Sequence, residues 1–304
     1  MSAPVPANTL DRRAVRRSFE RAAATTDAVA VLQREVSARM AERLGVLRLA
    51  PTAIVDAGCG TGESMGELLT RYPEARLVGV DVALAMTRAA QARASGAATP
   101  GRSLLARLTG QRPAAASPLI VCGDIEAQPF HAASFDLAWS NLVLHWVETP
   151  EKAFAEFQRV LKVGGLLSFT MLGPDTLREL RRAFAAVDAT IHVHRFFDMH
   201  DVGDMLVAAG FADPVMDMEV ITLTYPDATA LMRELKALGA RNAAADRRRG
   251  LMGRARWARM LRELEASRQG DRQPASFEIV YGHAWKPEPR LDSDGRAIIR
   301  FGAR

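Results

Sequence analysis

The 304-residue sequence predicts a doubly wound α/β fold, a mostly parallel sheet covered by helices on both faces. Three observations predict it. Short apolar strand segments alternate with helical stretches from residue 53 to residue 171. Glycines and acidic residues fall where those strands end, which is where ligands bind in open α/β sheets. Beyond residue 172, two further strand candidates are separated by about fifty mostly helical residues, which is the texture of a helical cap inserted near the end of a sheet.

The elements follow in order. Residues 1–10 carry no periodicity and are expected to be disordered. Residues 11–45 form a helical leader, with Phe19, Ala23, Val29, Leu32, Val36 and Met40 roughly on one side. Strand 53–57 leads into helix 63–72. Strand 75–80 ends at Asp81 and is followed by helix 84–94. Strand 119–122 ends at Gly123-Asp124, and strand 135–139 comes next. Thr149-Pro150-Glu151 opens a helix, with threonine as cap and proline in the first turn. Lys162-Val163-Gly164-Gly165 stops it, and strand 166–171 follows. Helices are expected at 175–187 and at 201–209, the second closed by Gly210. A strand at 215–224, amphipathic helices at 227–240 and 253–267, and a last strand at 277–285 complete the chain. The domain spans 46–286, with the cap at about 226–270. Residues 96–118 read as a flexible surface insertion and 287–304 as a loose tail.

Composition narrows the function classes. Hydrophobic residues make up 48%, enough for a full core. No run of eighteen apolar residues occurs, so no membrane-spanning helix is expected, and the N-terminus lacks the apolar stretch of a secretory signal. Cys59 and Cys122 lie in or beside apolar strands and suggest reduced thiols in a cytoplasmic protein. No disulfide framework or metal site is indicated; His192, His194 and His200 have no cysteine or acidic cluster to complete one. Forty basic residues against 35 acidic ones favour an acidic partner: nucleic acid, an anionic membrane surface or an acidic carrier protein.

The sharpest motif is Val55-Asp56-Ala57-Gly58-Cys59-Gly60-Thr61-Gly62, which leaves a strand and opens a helix. Its G-x-G-x-G spacing differs from the G-x-G-x-x-G of dinucleotide sites. The physical logic is related: glycines let the backbone turn sharply and lie against a ligand at a helix N-terminus. Asp81, about twenty residues on, is placed to accept from ribose hydroxyls, with Val82 and Met86 beside it. Asp124 is placed to accept from an adenine amino group while Ile125 packs on the ring. Asn141 follows the fourth strand. Asp56, Gly58, Cys59, Gly60, Gly62, Asp81, Val82, Met86, Asp124, Ile125 and Asn141 thus form the expected cofactor site.

On these residues, the segment from about 50 to 172 resembles the class I methyltransferases, which are Rossmann-like and use S-adenosylmethionine (SAM). The resemblance implies a seven-stranded, mostly parallel sheet with one antiparallel edge strand, residues 277–285. More specific are Ser18-Phe19-Glu20-Arg21-Ala22-Ala23-Ala24, Trp139-Ser140-Asn141-Leu142-Val143-Leu144-His145-Trp146, Leu231-Met232-Arg233-Glu234-Leu235-Lys236-Ala237-Leu238-Gly239-Ala240, and Glu278-Ile279-Val280-Tyr281-Gly282-His283-Ala284-Trp285. Together they resemble the malonyl-acyl-carrier-protein O-methyltransferase family of biotin synthesis. That resemblance implies a carboxylate acceptor presented by an acidic acyl carrier protein, with neither a stable nucleic-acid partner nor a membrane. One departure stands out: Thr25-Thr26 occupy the place where that family usually has an aromatic residue.

His145 and Trp146 are expected to line the acceptor pocket, and Arg21, Arg195, Arg233 and Arg241 are candidates to position the acceptor carboxylate. Arg254, Arg256, Arg259 and Arg262, preceded by Arg247, Arg248 and Arg249, could dock an acidic carrier or simply form a solvated face. Two alternatives stay open. One is a methyltransferase for another small carboxylate or metabolite, or for RNA, although the sequence lacks an Asn-Pro-Pro-aromatic motif, a Pro-Cys nucleophile and aromatic–basic interleaving. The other is a non-catalytic assembly factor, since the architecture also resembles proteins that assist respiratory complex I assembly.

Overall fold

The computed structural model describes residues 9–97, 117–248 and 250–289. The expected insertion and tail lie mostly outside these residues. Seven strands form one sheet in the order β3-β2-β1-β4-β5-β7-β6. These are β1 (Ala53–Ala57), β2 (Arg76–Asp81), β3 (Leu119–Cys122), β4 (Phe135–Asn141), β5 (Leu161–Leu172), β6 (Ala212–Tyr225) and β7 (Gln273–Trp285). Strands β1 to β5 pair in parallel, and β7 pairs antiparallel to both β5 and β6. The antiparallel strand therefore lies one place in from the edge, between β5 and β6, and β6 takes the edge itself. Chain direction reverses its spread between β1 and β4, which opens a crevice beyond their C-terminal ends.

Ten α-helices are described: α1 (Arg12–Ala22), α2 (Thr26–Val29), α3 (Val31–Leu44), α4 (Met65–Arg71), α5 (Leu84–Ala97), α6 (Pro150–Val160), α7 (Arg178–Ala185), α8 (Met199–Ala208), α9 (Ala228–Ala237) and α10 (Arg254–Glu265). Alternation along β1 splits the core into two layers. Ile54 joins the layer built with Leu32, Val36 and Met40 of α3 and with Met260 and Leu264 of α10. Val55 joins the opposite layer, with Phe154 and Phe157 of α6 and Val202 and Leu206 of α8. Phe154 and Phe157 are fully buried, so truncating either to alanine costs about 3–5 kcal/mol.

Five expectations change in detail. Lys162-Val163-Gly164-Gly165 do not separate helix from strand: α6 ends at Val160 and β5 already begins at Leu161. The leader is three helices, broken at Thr25 and Ala30, whose backbones leave the helical region. Order begins before residue 11: Leu10 is buried against Val15 and bridges to Ala244. The helix expected from residue 175 starts at Arg178, because the Leu177 N–H is taken by the Ser276 carbonyl of β7 and Leu177 sits at φ 54°. Cys59 is buried as expected, but Cys122 is exposed, at the end of the edge strand β3.

Candidate active site

Beyond β1 the chain turns through Gly58, Gly60 and Gly62, at φ 81°, 53° and 78°, into α4. These left-handed angles are why glycines stand there. The three do different work. A Cβ on Gly58 would lie 2.3 Å from Val143 Cγ2, so the loop after β4 packs directly on the turn. A Cβ on Gly62 would meet Ala90 of α5 at 3.1 Å; this glycine sets helix packing and does not face the cavity. At Gly60 no atom beyond the glycine and its chain neighbours lies within 4 Å of the added carbon. That space belongs to the cavity.

The loop is clasped to the end of β2. Gly58 and Cys59 donate their N–H groups to the Val80 carbonyl at 2.7 and 3.1 Å. The Gly60 N–H donates to Asp81 Oδ2 at 3.0 Å, and the Ala83 N–H to Oδ1 at 2.8 Å. Burial nonetheless pushes the Asp81 carboxyl up to about 6, and the nearby Glu20 charge adds to the rise. Glu20 itself, on α1, accepts from the N–H groups of Leu84 and Ala85 at 2.7 and 2.9 Å and caps α5. Asp56, held by the Ser64 hydroxyl at 2.7 Å, is pushed up to about 7 by burial. Burial also raises the Cys59 thiol well above its ordinary value, so it stays protonated and packs as a small apolar group.

At the end of β3, Asp124 pairs with Arg12 of α1, and Arg12 also reaches Glu126 at 3.1 Å. Asn141 lines the cavity, but its amide is committed to the protein: Nδ2 donates to the Gln33 carbonyl at 3.0 Å, and Oδ1 accepts from the Thr170 hydroxyl at 2.7 Å. It ties the leader to the sheet. Gln33, from α3, lines the same space and keeps a buried Oε1 with no partner.

These groups wall one continuous cavity of about 700 Å³. Away from the strand ends its lining is built from rings, here called the second lobe. Trp146 meets Phe19 of α1 edge-on at 5.2 Å and His194 at 5.1 Å, and His145 packs beside Trp146 and Phe196. His145 is buried; its Nδ1 accepts from the Leu172 N–H at 3.3 Å, and burial pushes it down to about 3. His194 Nε2 accepts from the Ala243 N–H at 2.6 Å, and burial, helped by the Arg247 charge, pushes it down to about 4. Both imidazoles are neutral near pH 7. Because one nitrogen of each accepts, the other carries the proton: Nε2 of His145 and Nδ1 of His194.

All the expected cofactor residues except Gly62 line this cavity, as do His145, Trp146, Arg233 and Arg241. Arg21 and Arg195 do not; both are exposed side chains outside the lining. The leader and the ring-bearing segment before α8 supply what sequence reasoning missed: Arg12, Gln33, Phe196, and His194 as a pocket wall. The run Val193-His194-Arg195-Phe196-Phe197 held the signal, since aromatic rings in a loop need cover. Thr25, standing where an aromatic was expected, donates its hydroxyl to the Ala237 carbonyl at 2.7 Å and fastens the leader to α9. Thr26 lines the cavity, and Phe19 brings a leader aromatic to it. Among the described residues no cluster of His, Cys, Asp or Glu could hold a metal ion.

Known proteins resemble this chain closely. The family described as a methyltransferase domain matches residues 55–169. The malonyl-[acyl-carrier protein] O-methyltransferase of Laribacter hongkongensis is 52% identical over 295 residues, covering 96% of each chain. Its counterpart in Gallionella capsiferriformans is 49% identical over 291 residues, again with 96% of each chain covered. Among solved structures, YcgJ of Bacillus subtilis shares the fold at a TM-score of 0.54 and 18% identity, covering 84% of this chain and 99% of that one. The glycine loop clasped to Asp81 and the near-full-length likeness to these relatives lead to one conclusion: the chain belongs to the malonyl-[acyl-carrier protein] O-methyltransferase family.

Proposed function

We propose that this protein methylates the free carboxylate of a malonyl group carried by an acyl carrier protein, an early step in biotin synthesis, with SAM as the methyl donor. The strand-end lobe fits that donor. Gly60 leaves open space where any Cβ would intrude, Gln33 Oε1 is buried without a partner, and the lining carboxylates Asp56, Asp81 and Asp124 favour a cationic ligand rich in hydrogen-bond donors. Asp81 would hold the ribose hydroxyls. Asp124 would hold the adenine amino group, since a carboxylate already bonded to Arg12 and the Glu126 N–H still has lone pairs to offer. Ile125 and Met86 would pack against the base. When bound, SAM supplies an electrophilic methyl group on a sulfonium.

The observation that carries the acceptor assignment is the second lobe, walled by His145, Trp146 and His194, with both imidazoles neutral. A malonyl carboxylate has an ordinary pKa of about 4 and is ionised at pH 7, so the reaction needs no general base. It needs alignment and exclusion of water. A neutral N–H donor from His145 or His194 orients one carboxylate oxygen while leaving its partner nucleophilic. A tight bidentate arginine pair would lower that nucleophilicity. Arg233 and Arg241, exposed on the rim, stand outside the ring-lined wall.

The test is label transfer from methyl-labelled SAM, offered malonyl-acyl carrier protein, malonyl-coenzyme A and total RNA in parallel. Label is expected on the malonyl carrier, and it is lost in Asp81→Ala. Transfer to RNA alone, or to no malonyl thioester, would reject this function.

A further inference from the structure

We infer that the rim formed by α9 and α10 is the surface on which the acidic carrier protein docks to feed its arm into the acceptor lobe; this rests on the function proposed above. The cavity rim carries two kinds of cation. Arg12 is paired with Asp124 and Glu126, and Arg34 with Glu63 at 2.8 Å. Arg233 and Lys236 of α9, and Arg241 just beyond it, line the same cavity, are exposed, and form no ion pair among the described residues. The cofactor side is thus charge-balanced within the chain, and the acceptor side is not.

Helix α10 continues that imbalance. Its buried residues Met260 and Leu264 share a core layer with Leu231 and Leu235 of α9, so the two helices form one face. Arg254, Arg256, Arg259 and Arg262 cover its solvent side, and none has an ion-pair partner among the described residues. Two of these arginines stand in the first turn, where the helix dipole disfavours positive charge, and no acid or side-chain cap offsets them there. A local rule broken without internal compensation points to an external one. An acidic protein surface supplies it. On the same helix Trp257, 37% exposed, lines the cavity. A part-exposed tryptophan that lines the cavity, on a helix of unpaired arginines, has the composition of an interface anchor. Among the described residues Trp257 is the one aromatic of α10, which gives no stacking ladder of the kind a single-strand nucleic-acid site uses.

The experiment compares two acceptors with the same reacting end: malonyl-acyl carrier protein and malonyl-pantetheine, which lacks both the protein and the phosphate. In the double variant Arg254→Glu/Arg256→Glu, the KM for the carrier is expected to rise about tenfold. Turnover of malonyl-pantetheine stays at the unaltered value, which also reports that the variant is folded. Added salt lowers kcat/KM for the carrier more steeply than for malonyl-pantetheine. The equal charge change Arg13→Glu/Arg16→Glu on α1, away from the lining, leaves the carrier KM within about twofold. An unchanged carrier KM in the α10 variant, or an equal loss in the α1 variant, would overturn the surface while leaving the proposed function standing. No transfer to either acceptor by the unaltered protein would remove both.

Discussion

The two lobes of the cavity are made in different ways. The cofactor lobe is built mainly from strand ends: a glycine turn, three carboxylates and backbone N–H groups, with Arg12 and Gln33 of the leader beside them. The acceptor lobe is built from added parts, the leader helices, the segment before α8 and the cap, joined by ring contacts and single hydrogen bonds across long stretches of chain. The first uses buried carboxyls whose proton affinity is raised, the second buried imidazoles whose proton affinity is lowered. On the proposed function, the sheet fixes a donor site of general kind, and the added elements assemble a particular acceptor site.

The largest expected effect separates the lobes outright. Asp81→Ala removes a carboxylate that would accept two ligand hydrogen bonds, each worth about 1.5–3 kcal/mol. Donor affinity measured by calorimetry should fall at least about a hundredfold. Unchanged affinity would show that the strand ends do not hold the donor. Next in size is the contrast between two glycines. Gly58→Ala forces a Cβ into Val143 and should lower the melting temperature and the affinity together. Gly60→Ala meets no atom beyond its chain neighbours, so it should cost only the backbone strain of about 1–2 kcal/mol while affecting donor binding far more. Equal effects on stability and binding at Gly60 would mean that its space is not the ligand's.

In the acceptor lobe, His145→Phe keeps a ring and deletes the N–H donor. It should lower kcat about ten- to a hundredfold with donor affinity unchanged. A change confined to donor affinity would assign His145 to the other lobe.

Titration sharpens the same comparison. Asp56 and Asp81 have folded values of about 7 and 6, above an unfolded value near 3.8. The folded state therefore binds more protons between pH 4 and 7, and this contribution to stability shrinks as pH rises through that window. His145 and His194 have folded values of about 3 and 4, below an unfolded value near 6.5. Their contribution is full above pH 6.5 and is lost as pH falls toward 3. Donor binding, which favours ionised Asp81, should release a proton near pH 6 and strengthen from pH 5 to 7. Calorimetry in buffers of different ionisation enthalpy measures that release, and proton uptake would reverse the assignment. The smallest effect is expected from Arg12→Ala. Its pair with Asp124 is half exposed, so stability should change by less than about 1 kcal/mol, read from the melting temperature.

The legibility of the sequence follows the same division. Gly58, Gly60, Asp81, Asp124 and Ile125 could be assigned to the cavity wall because each follows a strand whose end is readable in the sequence. Gly62 was readable as a turn glycine, but its duty toward Ala90 is a helix contact that spacing does not reveal. Asn141 was readable by position, whereas its commitment to Gln33 and Thr170 joins segments far apart in the chain. His194 and Phe196 were visible as residues, but a loop carries no period to say which way they face. Arg21 and Arg195 illustrate the limit: arginine is common on this surface, so residue type alone could not select those at the cavity.

The most direct measurement is the chemical nature of the product. Malonyl-acyl carrier protein is incubated with methyl-labelled SAM and the protein, recovered, and treated with mild alkali. A carboxyl methyl ester predicts label bound to the carrier and released as volatile methanol. Label that remains non-volatile after alkali, or a carrier that never acquires it, would contradict methylation of the malonyl carboxylate.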